Sequence, residues 1–400
     1  MFRHLLKPIW RRKSRNLMLS LEILLTFLVV FAIVAAAGRC YQLYHLPTGF
    51  SYDNVWSVQL EQPNEEGSKD GGAIVEKFRR GLQDLPEVEQ ASLSSFSPYL
   101  SATWRSAVNL PDGGKQAETD MLDISDDFFA TLDMSVEKGR VFSAADEGAA
   151  ETAVVINRQL AETLFPGQDP VGKIISDGEP GSEARTMMKV TGVIEDFRNK
   201  GEFMSPTNFV LKRFSPVAEN AMIRTVLLKV RPGTSRDFEL KLSQQLKLIR
   251  NDWSYRISPL GDLRKSMLQE TLTPLVVLSV IAGFLLLMVA FGLFGVLWQN
   301  TTRRIPEIGL RRATGATSAD IYRQIIIEQL LLTSLAMAVG LILLVQLPIT
   351  GVLGQNLDWP LFLGAAATAI GLMALVSVLC ALYPAWQASR LSPTEALHYE

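Results

Sequence analysis

The sequence predicts an α-helical membrane protein: four transmembrane helices, with a large α+β extracytoplasmic domain of two lobes inserted between helices 1 and 2. Three observations predict it. Apolar residues gather into four runs, Leu17–Gly38, Pro274–Trp298, Ile325–Leu347 and Leu361–Tyr383, each longer than the roughly 18 apolar residues that mark a spanning helix. Basic residues crowd some flanks of these runs and avoid others. The stretch between the first two runs carries the strand and helix periods of a water-soluble domain.

Charged residues make up an ordinary 20 % of the 400 residues, so the apolar excess is concentrated rather than spread. At about 1.5 Å per helical residue, each run crosses a hydrocarbon core about 30 Å thick. Arg3, Lys7, Arg11, Arg12, Lys13 and Arg15 precede the first run, and Arg303, Arg304, Arg311, Arg312 and Arg323 lie between the second and third. The segment Pro348–Pro360 has no Lys or Arg. By the positive-inside rule the basic N-terminus (1–16), the loop 299–324 and the C-terminus (384–400) are cytoplasmic. Helices at 17–38, 274–298, 325–347 and 361–383 then place 39–272 and the short loop 348–360 outside. The first run is too long for a signal peptide, and Arg39 before Cys40 does not suit a lipoprotein cleavage site, so an uncleaved anchor is expected. Glu22 falls about one turn from the cytoplasmic end of this run, where it reads as an interfacial acid rather than a proton relay.

Within 39–272, Val55–Leu60 and Val88–Phe96 read as strands around a helix at Asp70–Leu85 carrying Ile74, Phe78, Leu82 and Leu85 on one face. The order recurs in Arg224–Val230, Arg236–Ile249 (Phe238, Leu242, Leu246, Ile249) and Tyr255–Ser258. One α+β lobe completed by both ends of the segment is expected, with a second lobe at about 120–214. That lobe shows a short helix at Ser125–Leu132, strands at Thr152–Ile156 and Met187–Glu195, a helix at Arg158–Phe165, and a hairpin tip or loop at Asp177–Arg185. Residues 261–273 run directly into the second apolar run and read as a helical stalk.

Residue chemistry argues against an enzyme. The three histidines, His4, His45 and His398, sit at the termini or just past the first run, so a Ser-His-Asp or Cys-His site has little to draw on. No Cys/His cluster has zinc spacing, and no catalytic, cofactor-binding or metal residue is assigned. The acid pairs Asp126-Asp127 and Glu195-Asp196 are of a kind common on surface helices and strand ends. The only two cysteines, Cys40 and Cys380, fall on opposite sides of the membrane or within it, so no disulfide is expected and the domain needs a real core. Gly167–Lys173 fits the first seven positions of a phosphate-binding loop, but Ile174 stands where a hydroxyl residue would hold Mg²⁺ and Pro170 removes a backbone donor; it reads as a turn. No basic aromatic patch suggests nucleic acid.

The loop Arg303–Ala316 is different in kind. Pro306 suits a first helical turn and Glu307 the positive end of a helix. Ile305, Ile308, Leu310 and Ala313 supply apolar surface, Arg311 and Arg312 stay wet, and Gly315 suits the position after the helix. Thr317–Asp320 reads as a capping box opening the third spanning helix. Two readings stand on these residues alone: a lipid-anchoring interfacial helix, or a surface that receives a soluble partner. Gly292 and Gly295 permit close helix contact, without the four-residue spacing of the best-known motif, and Glu328 and Gln329 read as cytoplasmic-interface groups.

At this loop the chain resembles the FtsX/MacB-like permease family of ABC transporters. Arg304-Ile-Pro-Glu-Ile-Gly-Leu-Arg-Arg-Ala-Thr-Gly-Ala316 is similar to the family signature between its second and third spans, and Glu328–Leu332 follows where the family shows an acid and a leucine run. Tyr383–Leu397, with Pro384, Arg390, Pro393 and Leu397, resembles the family's closing motif. Ser125–Leu132, Glu137–Phe142, Ala161–Lys173 and Val190–Phe197 are similar to the MacB-type periplasmic core domain, while Asn199–Pro206 departs from that pattern. The resemblance implies a multi-pass protein of the bacterial cytoplasmic (inner) membrane, paired with a second identical or different permease copy, contacting lipids, and driven by a separate ABC ATPase that holds the ATP and Mg. It implies that Arg304, Ile305, Pro306, Glu307, Ile308, Gly309, Leu310, Arg311, Arg312 and Gly315 form the coupling helix seated on that ATPase. Outer-domain motion for export or efflux is the implied output, with a periplasmic adaptor and an outer-membrane channel as further partners. The alternative is a mechanical signalling subunit that regulates extracytoplasmic enzymes or senses peptides without transport. The topology has a direct test: protease added to oriented vesicles is expected to cut within 53–260 only from the outer face, and cleavage from the cytoplasmic face would overturn it.

Overall fold

A computed structural model of the protein describes residues 13–61, 71–111, 114–178, 185–214, 224–351 and 357–390. It divides into two compact units, Leu43–Thr271 and the described residues of Met1–Gln42 with Leu272–Glu400. The description opens with helix α1 (Lys13–Tyr44).

The first unit is built on strands. Its outer elements are β1 (Val55–Glu61), α2 (Gly71–Gln83) and β2 (Val88–Ser94). Between these and the segment's end come β3 (Trp104–Asn109), β4 (Gln116–Ile124), α3 (Phe128–Thr131), β5 (Val136–Gly139), β6 (Thr152–Asn157), α4 (Arg158–Leu164), β7 (Ile174–Asp177), β8 (Thr186–Ile194) and β9 (Phe209–Arg213). The chain then returns through β10 (Thr225–Val230), α5 (Phe238–Ile249) and β11 (Ser254–Pro259).

The first lobe is the sheet β11-β1-β10-β2, antiparallel throughout, so the two β-α-β units interleave into a split arrangement. The inward residues of β1, Trp56, Val58 and Leu60, alternate with Ser57 and Gln59, as the two-residue period requires. Helix α2 lays Phe78 and Leu82, and α5 lays Phe238, Leu242 and Leu246, on that same face; the i, i+4 spacing that suggested these helices is the spacing that packs them.

The second lobe is a closed barrel, β4-β3-β7-β8-β6-β9, completed by parallel pairing of β9 with β4. Its strands begin at Trp104, ahead of the expected start near 120, because β3 pairs with β4 from Trp104↔Met121 to Asn109↔Gln116. Strand β6 serves two cores at once: Val154 and Ile156 belong to one cluster, Ala153 and Val155 to another that includes Phe128, Phe129, Phe197 and Phe209. The expected hairpin at Asp177–Arg185 is seen in the pairing of Asp177 with Thr186, with 179–184 outside the described residues. The lobes are tied by Arg79–Asp127 at 3.3 Å and Lys229–Asp133.

The second unit is the helical bundle: α1 as far as Gln42, α6 (Leu260–Arg303) from Leu272 onward, α7 (Ile305–Ala313), α8 (Ser318–Leu344), α9 (Gln346–Thr350) and α10 (Trp359–Arg390). Four of its helical stretches, Ser20–Tyr44, Leu260–Arg303, Ser318–Thr350 and Trp359–Arg390, are long and apolar enough to cross a membrane. The helices outrun the apolar runs because polar flanking residues continue the same hydrogen-bonded turns. At 44 residues α6 is about 66 Å long, roughly twice the hydrocarbon core, so the stalk and the second span are one helix. Pro274, where the stalk was expected to meet the span, lies inside it and leaves the Glu270 carbonyl without its helical donor.

The bundle core joins Ile23, Phe27 and Phe31 of α1, Val289 and Leu293 of α6, Met337 of α8, and Phe362, Ala365, Ala369 and Met373 of α10. The alanines of α10 let helix backbones approach closely, which is how helices associate where lipid removes any hydrophobic drive. Gln329, expected at the cytoplasmic interface, is 5 % exposed; its amide donates to Thr333 at 3.3 Å, and Thr333 and Ser377 share a 2.9 Å hydrogen bond between α8 and α10. Gly292 gives the room its sequence suggested, since a Cβ there would lie 3.1 Å from a Glu22 carboxylate oxygen, whereas Gly295 faces open space. Glu22 therefore lies against α6.

In the first unit, Asp146 caps a short 3₁₀ turn by accepting from the Ser143 N–H at 2.9 Å and pairs with Arg140. Chiefly through that arginine, its carboxyl is held down to about 2. A depressed carboxyl contributes stability above its ordinary value and loses it as pH falls through the folded one. Asp146→Asn is thus expected to lower unfolding free energy by about 0.5–1 kcal/mol near neutral pH, with the gap from wild type closing toward about pH 2; urea titrations at several pH values check this.

Candidate coupling site

The site begins where α6 ends. Arg304 leaves helical geometry at φ −100 and ψ 7, so the chain breaks after Arg303 and restarts as α7. Pro306 sits in the first turn, where its missing N–H costs nothing, with Glu307 at the positive end of the helix dipole and Arg311 and Arg312 at the negative end. Gly315 takes φ +103 after the helix, a value that favours glycine. Thr317 and Asp320 form the capping box that opens α8, with Thr317 N–H donating at 3.0 Å and Asp320 N–H at 3.2 Å.

Helix geometry sorts the ten residues of the expected coupling set. Ile305, Ile308 and Gly309 share one row and are buried, with Ile308 packed against Ile321 of α8 and Ala388 of α10. Arg312 continues this row, half-buried, and donates to the Ser389 carbonyl at 2.9 Å, placing a cation on the negative end of α10. Arg304 donates to Glu328 at 2.6 Å, and Gln324 donates to the same carboxylate at 2.9 Å. Pro306, Glu307, Leu310 and Arg311 form the opposite, exposed face. Leu310 is 62 % exposed, and Arg311 bridges Glu307 and Gln324, both at 2.7 Å.

One expectation changes. Arg312, expected to stay wet, is half-buried and faces inward, while Leu310 and Ala313 supply their apolar surface on the exposed face; both follow from about 100° of rotation per residue once Ile308 is fixed as the inward residue. Sequence reasoning missed Gln324, which holds both arms of the site and lies one turn before Glu328 on α8. In the closing motif, Pro384 is buried within α10 and Arg390 stands 4.4 Å over the Trp386 ring, beside the stacked pair Trp298 and Tyr383. Pro393 and Leu397 lie outside the described residues.

The other motifs resolve as structure. In Gly167–Lys173 both glycines have positive φ, the Lys173 N–H closes a turn on the Pro170 carbonyl at 3.1 Å, and the Lys173 ammonium engages Gln168 and the Phe165 ring. The acid pairs are met by arginines: Asp126 by Arg213 at 2.8 Å and Glu195 by Arg158 at 3.5 Å.

The two faces of α7 separate in their consequences. Ile308→Ala is expected to cost about 2 kcal/mol by opening a gap against Ile321 and Ala388, while Leu310→Ala is expected to stay within about 0.5 kcal/mol; thermal unfolding in detergent measures both.

The family described as MacB-like periplasmic core domain matches residues 23–238, more than half of the chain, and the FtsX-like permease C-terminal family matches 262–393. The ABC transporter permease YknZ of Bacillus subtilis is 22 % identical, covering 99 % of this chain and 98 % of its own length. The macrolide export ATP-binding/permease protein MacB 2 of Aeromonas hydrophila is 25 % identical over 86 % of this chain, which spans 52 % of that protein. The crystal structure of the periplasmic region of MacB from Actinobacillus actinomycetemcomitans covers 56 % of this chain and 97 % of its own, at 12 % identity and TM-score 0.40. The chain belongs to the FtsX/MacB-like permeases of ABC transporters, with a MacB-type core domain set between its first and second membrane helices.

Proposed function

We propose that this chain is a non-catalytic permease subunit whose α7 docks on a separate cytoplasmic ABC ATPase, and that hydrolysis there moves the α+β domain outside the membrane for export. The observation that carries this reading is the two-faced build of α7: one row packed on Ile321 and Ala388, the other presenting Pro306, Glu307, Leu310 and Arg311. A lipid anchor needs an apolar face turned outward; here Leu310 is ringed by Glu307 and Arg311, a mixed surface suited to a protein. ATP and Mg belong to the partner in this reading. Similarity along nearly the whole of a permease-named relative supports the permease assignment.

The termini and α7 lie on the cytoplasmic side of the inner membrane in this proposal, in keeping with the arginine-rich flanks. A second permease copy and lipid share the apolar surface of α6, where Val280, Phe284 and Phe291 are all more than 60 % exposed. An adaptor and an outer-membrane channel would complete an exporter.

Co-purification with the cognate ATPase tests the docking face. Glu307→Arg and Leu310→Asp are each expected to lower retained ATPase at least tenfold while leaving the permease folded. Full retention by both variants would remove α7 as the contact.

A further inference from the structure

The segment Asn199–Pro206 contains most of a loop that grips two helices at once. Arg198, at its start, is 1 % exposed. Its guanidinium donates to five main-chain carbonyls: Leu43 at 3.0 Å, Leu46 at 2.8 Å, Pro47 at 3.3 Å, Met204 at 2.8 Å, and Glu202. Leu43 is in the last turn of α1, so the guanidinium meets a helix-terminal carbonyl, which also accepts from the Leu46 N–H at 3.2 Å, and the negative end of the helix dipole. The Arg198 N–H also donates to the Thr48 carbonyl at 2.9 Å.

Four residues later the loop reaches the second helix. Glu202, 8 % exposed, accepts from Arg264 of α6 at 2.5 Å, and the Arg264 guanidinium lies 4.7 Å over the Tyr52 ring. The loop between these grips is itself clamped. Gly201 sits at φ +89, where a Cβ would come within 2.6 Å of the Tyr99 ring, and the Tyr99 N–H donates to the Asn199 carbonyl at 2.7 Å. Phe203 packs its ring 6.1 Å from that of Tyr44.

We propose that the Arg198–Met204 loop is the joint that transmits movement from α1 and α6 into the α+β domain, with Arg198 and Glu202 as its positioning residues. This rests on the reading of the chain as an ATPase-driven permease. The geometry argues for a joint over ordinary packing. Both grips are charge-assisted hydrogen bonds, which resist displacement in a set direction as apolar contacts do not. They also fall on the two helices whose remaining residues, Lys13–Gln42 and Leu272–Arg303, belong to the membrane unit.

The test uses the full chain with its co-purified ATPase in lipid nanodiscs, in a Cys40→Ser/Cys380→Ser background. A donor–acceptor pair is placed at Leu248→Cys and Ile349→Cys, both exposed. In otherwise wild-type protein Mg-ATP is expected to change transfer efficiency. Glu202→Gln and Arg264→Gln are expected to keep ATPase binding, hydrolysis within twofold and unfolding midpoint, yet to lose at least half of that change. The swap Glu202→Arg/Arg264→Glu is expected to recover it. A full ATP-driven change in both single variants overturns the joint while leaving the permease reading intact. No change without these substitutions, or no ATPase retained, overturns the permease reading and the joint with it. Arg198→Leu is expected to lower the unfolding midpoint as well, so the decision rests on the Glu202–Arg264 pair.

Discussion

A hydrocarbon interior offers no hydrogen-bond partner to a peptide group, and most of this architecture answers that constraint. It forces the apolar runs into helices and requires polar side chains between helices to be paired, as in the Thr333–Ser377 bond. It also confines strands, which must pair with one another, to the segment between α1 and α6. Within that segment the same accounting is met differently: the barrel closes its ladder through β4 and β9, and the four-stranded sheet covers one face with α2 and α5.

Helix ends are where the accounting is hardest, and arginines gather there. Each helix leaves about four carbonyls unpaired at its C-terminus. Arg198 meets a last-turn carbonyl of α1 at Leu43, and Arg312 meets that of α10 at Ser389. Both reach their targets from another segment, so each cap doubles as a tertiary tie. The charge that stops a helix also decides what the helix end is fastened to. At α7 this leaves Arg312 structural and Arg311 outward, although the two are neighbours in a run that reads as uniformly basic.

Much of the fold was legible because it rests on local periodicity. The four runs follow from length and composition, and α2 and α5 from apolar residues one turn apart. The capping box of Thr317 and Asp320 was visible for the same reason, its partners being three residues apart. The candidate site was half legible. Pro306, Glu307 and Gly315 declare a short helix by their own conformational preferences, but an amphipathic pattern with Ile308 and Leu310 two residues apart does not say which faces inward. Packing against Ile321 and Ala388 decides it.

The sequence by itself therefore determined the membrane class, the place of the α+β domain and the presence of a helix at 305–313, because each depends on residues within a turn or two of one another. Tertiary structure alone decided the barrel closure, the inward face of α7 and the capture of α1 by Arg198, a contact spanning 155 positions. The physical reason is range. Propensity and periodicity act along the chain, whereas a guanidinium finds its carbonyls, and an isoleucine its pocket, only after distant segments have been brought together by burial.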